Sequence, residues 1–254
     1  MSIPRIHVAG ALAEGAEVAL TPAQAHHLGV VLRRTPGAAL LAFNAREGEF
    51  DATLAVLRKE RGALRIGARR RAPAPEAEIR VLIAALKREA MDWAVEKATE
   101  LGATRILPVL TRRCVSERAN VERLSAIARA AAEQCERLSV PEVEEARPLH
   151  ARLDGWDGAP LIVAAERREA PPLHDRLATL DAPCGFLVGP EGGFDPAELD
   201  DLARRPFVSL ASLGPRILRA ETALVAGLAA IMLSLDARCR VQERKRPDVQ
   251  SRPG

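Results

Sequence analysis

Aromatic residues are scarce in this chain. They make up 3% of 254 residues, with two tryptophans and no tyrosine, so a sheet of stacking aromatics like that of an RNA-recognition motif is not expected. Lysine is scarce as well, because only four of the 37 basic residues are lysines. The arginine fork suits phosphates and base edges, but biased genomic base composition also enriches arginine. The arginine content, like the net charge of +3, therefore permits RNA binding without establishing it.

Cysteines and long apolar runs are also limited. The four cysteines form no C-x-x-C pair, which argues against a zinc site or a disulfide scaffold and predicts reduced thiols. No uninterrupted apolar run approaches the ~20 residues of a membrane span. The start, Met1–Arg5, lacks the features of a secretory signal. We therefore expect a cytoplasmic protein without a bound metal. The cysteines are Cys114, Cys135, Cys184 and Cys239.

Residues 1–70 have the pattern of a small β-rich domain. Short apolar or alternating segments are separated by glycines, and Pro22–Leu32 is the one helical segment. This pattern predicts a small barrel. Residues 71–78 carry charge and two prolines without periodicity, which predicts a linker. The predicted strands are Ile3–Val8, Val18–Leu20, Ala39–Phe43, Phe50–Leu57 and Ala63–Ala68.

Residues 79–236 alternate between buried-strand and helical patterns, which predicts a mostly parallel α/β sheet flanked by helices. Asp195 and Glu198 form a capping box at the start of one helix, with a proline at its first position. The last helix is predicted over about Glu221–Leu235, and residues 237–254 are predicted to be a disordered basic tail. The other predicted elements are strands at Ile79–Leu86, Arg105–Leu110, Leu161–Ala165 and Phe186–Val188, and helices over 91–101 and Val121–Leu138.

Two turns between a strand and a helix stand out as ligand-binding candidates. The first reads VGPEGGF over 188–194, and the second reads LGPRILRAETA over 213–223. Ligands of open α/β sheets bind at the carboxyl ends of strands, where such turns gather. Neither turn is a phosphate-binding P-loop or a G-x-G-x-x-G dinucleotide fingerprint. A lone Gly-Gly is usually only a tight turn, but two such turns close together favour a binding site.

Both turns resemble the carboxy-terminal motifs of the RsmE family of 16S ribosomal RNA methyltransferases. The resemblance covers nearly the whole chain, including a histidine pair followed by a leucine-rich segment at 26–33 and the opening of the second domain at 87–102. Two positions depart from the family pattern: Cys114 replaces a usual serine, and Leu124 stands where tryptophan is common. Neither lies in the two turns, so neither weakens the expectation of methyl transfer.

The resemblance implies a PUA-like β-barrel at 1–70 and a SPOUT domain, with a trefoil knot, at 79–236. It implies a homodimer that binds S-adenosylmethionine, with 16S ribosomal RNA of the small subunit as the substrate. The expected product is N3-methyluridine at the position called 1498 in the RNA. A ribose 2′-O-methyltransferase of the same superfamily and a non-catalytic RNA-binding assembly protein remain alternatives.

Arg219 is the first catalytic candidate, because a fixed arginine stabilises the negative charge that uridine gains when N3 loses its proton. Glu191 and Glu221 are candidate bases or cofactor contacts, and water remains a third possibility for the base. Glu221 also suits the first turn of a helix for electrostatic reasons alone. The expected cofactor residues are Val188, Gly189, Pro190, Glu191, Gly192, Leu213, Gly214, Ile217, Leu218, Thr222 and Ala223.

Five arginines are candidate contacts for RNA phosphates, which position a substrate without reading its sequence. Taken singly, each is more often a solvated surface residue or an ion-pair partner. These candidates are Arg5, Arg33, Arg34, Arg113 and Arg137.

Overall fold

The computed structural model describes residues 3–116, 118–166 and 168–245, with side chains as far as Arg238. The chain divides into two compact units. One contains residues 1–76 and 128–140, and the other contains residues 77–127 and 141–254. The segment 128–140 thus groups with the first unit, although the sequence pattern placed it in the second domain.

The first unit contains a five-stranded mixed sheet in the order β1-β3-β4-β5-β2. β1 pairs with β3 in parallel, and the other pairs are antiparallel. Each predicted strand is present, while the predicted helix at Pro22–Leu32 divides into an α-helix and a π-helical turn at His27–Val31. The elements are β1 (Arg5–His7), β2 (Glu17–Ala19), α1 (Pro22–His26), β3 (Ala39–Asn44), β4 (Gly48–Arg58) and β5 (Arg61–Arg71).

The second unit contains a parallel sheet in the order β12-β10-β11-β6-β7-β8, with β9 also pairing with β7. The predicted parallel α/β architecture is confirmed, and the capping box of α6 forms as expected, with Asp195 accepting from Ala197 N. The helix α3 (Val121–Gln134) begins in this unit and ends in the first. The other elements of the second unit are β6 (Ile79–Ala84), α2 (Arg88–Glu100), β7 (Arg105–Leu110), β8 (Glu142–Val143), β9 (Arg147–Pro148), α4 (Leu149–Asp154), β10 (Leu161–Ala164), α5 (Leu173–Leu177), β11 (Cys184–Val188), α6 (Pro196–Arg204), β12 (Val208–Ala211) and α7 (Ala220–Lys245).

Helix α7 corrects two sequence expectations. It continues to Lys245, beyond the predicted end at Leu235, because residues 236–245 contain good helix formers and no glycine or proline. Residues 246–254 of the predicted tail lie outside the described residues. The segment Ala220–Arg238 is also long and apolar enough, by length and composition, to cross a membrane. Counting only uninterrupted apolar runs missed it. The buried side of α7 includes Leu224, Leu228 and Ile231, and the helix contacts α2, α5 and β11, as a core helix does.

Arg5 explains why residues 128–140 belong to the first unit. It is 8% exposed, and its Nε lies 2.7 Å from Glu49 Oε1. Its guanidinium donates to the carbonyl oxygens of Ala132, Glu133 and Arg137 at 2.9, 3.1 and 3.0 Å. These carbonyls lie at and just beyond the carboxyl end of α3, where helices leave acceptors unpaired. A buried arginine on β1 thus satisfies the end of a helix more than 120 residues later in the chain.

His7 gives this unit a pH dependence. Burial, aided by the charge of Arg129, lowers the pKa of His7 to about 4. His7 therefore takes up a proton near pH 6.5 in the unfolded chain but only near pH 4 in the folded chain. As pH falls from about 6.5 to 4, this difference lowers the free energy of unfolding. The effect is at most about 1.4 kcal/mol per pH unit, the limit for one proton. Burial raises the pKa of Glu133, which accepts from His7 N at 3.0 Å and opposes this slope.

We expect His7→Gln to remove the histidine contribution. The stability difference between the variant and the wild type should grow in favour of the variant as pH falls from about 6.5 to 4. Amide hydrogen exchange of β1 and β3 across this range measures it within the first unit. Glu133→Gln is the matched control, since it removes the opposing carboxylate. In a chain that keeps His7, this change should make stability fall more steeply as pH is lowered. A difference between His7→Gln and wild type that is flat with pH would contradict the prediction.

Candidate active site

The two sequence turns lie at one edge of the parallel sheet. The turn at 189–195 follows β11, and the turn at 212–219 follows β12, with β10 between these two strands. β6, on the other side of β11, ends at Ala84, and α2 begins four residues later, at Arg88. Because all of these strands are parallel, their carboxyl ends meet at the same edge. Four chain segments therefore converge where a ligand of an open α/β sheet binds.

A narrow crevice lies where β10 and β12 end and α7 begins. It contains four of the expected cofactor residues, which are Leu213, Gly214, Leu218 and Ala223. Gly214 has φ +114°, and a Cβ there would meet no atom within 4 Å, so the backbone at this point is open to a ligand. Sequence reasoning missed the other lining residues, which are Ala164, Ala165, Glu166 and Arg216.

A larger cavity, of about 700 Å³, adjoins this crevice, because Leu218 lines both. It brings together all three catalytic candidates, Arg219, Glu221 and Glu191. The remaining lining residues come from the start of α2 and from the second turn, and they are Lys87, Glu89, Ala90, Trp93 and Ile217. The residues from α2 were not predicted as site residues. The signal that could have identified them is the position of α2 directly after a buried parallel strand.

The charged groups of the larger cavity are unpaired. Within the described part of the chain, neither Arg219 nor Lys87 takes part in an ion pair, and Glu191 is exposed without one. Glu221 Oε2 is buried and has no hydrogen-bond partner. An unsatisfied buried acceptor costs about 1–3 kcal/mol, and such groups in native proteins call for an explanation. Charged side chains left without partners around a cavity at the carboxyl ends of parallel strands are candidates for binding a polar ligand.

Most residues of the first turn have structural roles. Val188 is 2% exposed, and Pro190 is buried and accepts from Gly193 N at 2.8 Å. A Cβ at Gly189 would lie 2.9 Å from the ring of Phe194, so glycine is needed for that ring to pack. Of the expected cofactor residues, Val188, Gly189, Pro190, Gly192 and Thr222 line neither cavity, while Glu191 and Ile217 line the larger one.

Two arginines that follow β7 hold the first turn in place. Arg113 donates to Gly192 O at 3.4 Å and to Asp195 Oδ2 at 3.3 Å, and Arg112 donates to Asp195 Oδ1 at 3.1 Å. The pKa of Asp195 is lowered, first by the hydrogen bond from Ala197 N and then by the charges of Arg112 and Arg113. Arg113, a candidate RNA contact, therefore positions the turn in this structure.

The other arginine candidates fall into two groups. Arg5 is buried in the network at the end of α3, and the Arg137 side chain, 10% exposed, donates to Glu76 Oε2 at 2.6 Å. Both guanidinium groups are engaged within the fold in this structure, and their assignment as phosphate contacts stays a prediction. Arg33 is exposed with φ 50°, and Arg34 has a buried Nε without a partner. Both remain candidates. Among the described residues, no group of three or more His, Cys, Asp or Glu side chains is placed to hold a metal ion.

Known proteins resemble this chain in sequence and in fold. Residues 73–232 match the family model of an RNA methyltransferase domain. A ribosomal RNA small subunit methyltransferase E of Rickettsia conorii is 32% identical over 92% of this chain and 96% of its own length. The protein of that name from Synechocystis sp. is 32% identical over 87% of this chain and 75% of its own length. The crystal structure of a ribosomal RNA small subunit methyltransferase E from Neisseria gonorrhoeae, bound to S-adenosyl methionine, is 31% identical, with a TM-score of 0.81 over 92% of this chain and 98% of that one.

The fold and the matching domain define the chain as an enzyme of the RNA methyltransferase class. On the identity and coverage of these relatives, it belongs to the ribosomal RNA small subunit methyltransferase E family.

Proposed function

We propose that this protein transfers a methyl group from S-adenosylmethionine to N3 of a uridine in 16S ribosomal RNA, at the family position 1498. The observation that carries the proposal is the meeting of the two cavities at Leu218, with Arg219 and Glu221 lining the larger one. This arrangement gives a place for a cofactor beside a place for a nucleoside. The methyl donor is the ligand of the Neisseria gonorrhoeae relative.

The crevice, whose free volume of about 20 Å³ is little more than that of one water molecule, offers backbone contacts to the cofactor and not a pocket for the whole of it. Backbone groups of Leu213, Gly214 and Leu218 would hold the adenosyl group, since the open backbone at Gly214 allows close approach. When bound, S-adenosylmethionine supplies an electrophilic methyl group on a sulfonium, a chemistry that needs alignment more than acid–base help.

The larger cavity suits the activation of uridine. N3 of uridine is a poor nucleophile until its proton leaves, and deprotonation spreads negative charge onto O2 and O4. Arg219 lines this cavity, and we propose that it stabilises that charge as it develops. Glu221 is the base we favour, since its buried and unpaired Oε2 has no competing donor and accepts the proton directly or through one water. Glu191, which lines the same cavity, and water remain the alternatives for this proton transfer.

The resemblance to the family supports further parts of the proposal. We propose that the mixed sheet of the first unit forms a PUA-like barrel domain over residues 1–70, which the linker 71–78 joins to a SPOUT domain over 79–236. We propose that the two ligand-binding turns belong to a trefoil knot. The chain acts as a homodimer in the cytoplasm, on RNA within the small ribosomal subunit.

Methyl transfer from labelled S-adenosylmethionine to small ribosomal subunits that lack the modification tests the function, with nucleoside analysis of the product. We expect label in N3-methyluridine. Label in a ribose methyl group would assign the protein to the 2′-O-methyltransferases of the same superfamily. No transfer, together with no cofactor binding by calorimetry, would leave a non-catalytic RNA-binding assembly protein. A parallel assay with free 16S RNA shows whether the enzyme acts on the free RNA or on the assembled subunit.

A further inference from the structure

Trp93 is an aromatic side chain that the fold leaves in the larger cavity. It lies on α2 and is 42% exposed, although the chain has only two tryptophans. The other, Trp156, is used in packing, because it stacks on Phe207 at 6.5 Å and its Nε1 donates to Ala159 O at 2.7 Å. The core-facing side of α2 is formed by other residues, which are Met91, Ala94, Val95, Ala98 and Thr99. Core packing therefore does not account for the indole of Trp93.

The surroundings of Trp93 combine an apolar surface with free charges. Ile217, from the turn after β12, lines the same cavity and is 68% exposed. Arg219 and Glu221 line it as well. A nucleobase needs both features, since its faces are apolar and its edges carry donors and acceptors. Lys97 Nζ, 6.0 Å from the ring centroid of Trp93, is held by ion pairs to Glu96 and Glu100 and helps to fix the indole.

We propose that Trp93 is the stacking surface for the target uracil, which enters the cavity out of its own RNA stack. This inference rests on the proposed function and adds how the base is held. Enzymes that react with a base extrude it and read its edge while stacking its face on aromatic or apolar groups. With the uracil on the indole, the edge that carries O2, N3 and O4 meets the charged groups of the cavity. The backbone groups that we propose for the adenosyl group line the separate crevice, which Trp93 does not line.

Fluorescence tests stacking without any turnover. In a Trp156→Phe protein, Trp93 is the sole tryptophan, and S-adenosylhomocysteine is added first to fill the cofactor site. A short single-stranded RNA with one central uridine is then titrated against an RNA of the same sequence with an abasic centre. We expect quenching of Trp93 by the uridine RNA only. Equal quenching by both RNAs, or binding of the uridine RNA without quenching, would overturn the proposal. The proposal would also be overturned if S-adenosylhomocysteine alone quenched Trp93 and the uridine RNA caused no further change in fluorescence.

Kinetics in the full-length enzyme give the second arm. Base stacking on an aromatic side chain corresponds to roughly 5- to 150-fold in affinity, so Trp93→Leu should raise KM for RNA by about this factor. Trp93→Phe should recover most of it, and the Kd for S-adenosylmethionine should stay unchanged in both variants. Unchanged KM in Trp93→Leu, in an enzyme whose wild type makes N3-methyluridine, would overturn the stacking proposal and leave the proposed function intact. Failure of the wild type to transfer methyl would instead remove the proposed function, and the fluorescence arm would still report on base binding.

Discussion

Replacing Arg219 with alanine should lower kcat for methyl transfer by about 10²- to 10³-fold, the range for removing one group that stabilises a developing oxyanion. Arg219 lines the larger cavity and not the crevice, so the Kd for S-adenosylmethionine should change little. The charge that Arg219 stabilises exists only once N3 has lost its proton, and the loss should therefore fall on kcat more than on KM. Single-turnover experiments measure the rate of methyl transfer, and calorimetry measures the Kd for S-adenosylmethionine.

Arg204→Ala is the matched control for this experiment. Arg204 is an exposed arginine at the end of α6, with a side chain 72% exposed and an ion pair to Asp201 at 3.6 Å. Its loss should leave methyl transfer within about twofold of wild type, as expected of a weak surface pair. If Arg219→Ala weakens cofactor binding as much as it slows transfer, the arginine is a binding residue and not the stabiliser of the uridine anion. An unchanged kcat would remove it from the mechanism.

Gly227→Ala should destabilise the second unit by about 2 kcal/mol or more. Gly227 lies in α7, where a Cβ would stand 2.1 Å from Cζ of Phe186 and 2.6 Å from its Cε1. Phe186 lies on β11 and is fully buried, so neither the ring nor the helix moves without disturbing the core. Overpacking costs about 1–3 kcal/mol, occasionally more, and outweighs the ~1 kcal/mol by which alanine favours a helix over glycine.

Urea unfolding followed by tryptophan fluorescence measures this effect, since Trp93 and Trp156 both lie in the second unit. Gly155→Ala is the control, because its Cβ would approach nothing closer than Ala151 O at 3.9 Å, and its stability should stay near that of wild type. Adding Phe186→Leu to Gly227→Ala should cost less than the two single changes summed, since the smaller side chain relieves the overlap. Additive costs would show that the overlap is not what destabilises the helix.

Features fixed by neighbouring residues were predicted well from the sequence. The Asp195–Glu198 capping box is set by bonds within one turn of helix, and it forms as expected. The strand Arg105–Leu110 was predicted at its observed bounds, because a short apolar run between a glycine and polar residues is typical of a buried strand. The two turns of the candidate site were recognisable for the same reason, since local backbone geometry restricts the residue types of such short motifs.

Features that join distant segments could not be read in this way. Arg5 resembled a candidate for phosphate contact because its sequence neighbours do not include Glu49 or the end of α3, which the fold brings within hydrogen-bonding distance. Arg137 likewise has its partner, Glu76, 61 residues earlier in the chain. The end of α7 was placed too early because a polar segment was taken for a tail, whereas helix propensity carries the chain on to Lys245.

Sequence patterns alone were enough to predict the class of fold in the second unit, the two turns of the candidate site and the catalytic candidates Arg219, Glu191 and Glu221. Each is a local pattern of residue type and spacing, which does not depend on contacts with distant parts of the chain. Only the tertiary structure decided that Lys87 and Trp93 share a cavity with those candidates and that one oxygen of Glu221 is buried without a partner. Parallel pairing of β6 with β11 aligns residue 83 with residue 188. Such pairing depends on the burial of whole strands in a common core and not on any short stretch of sequence.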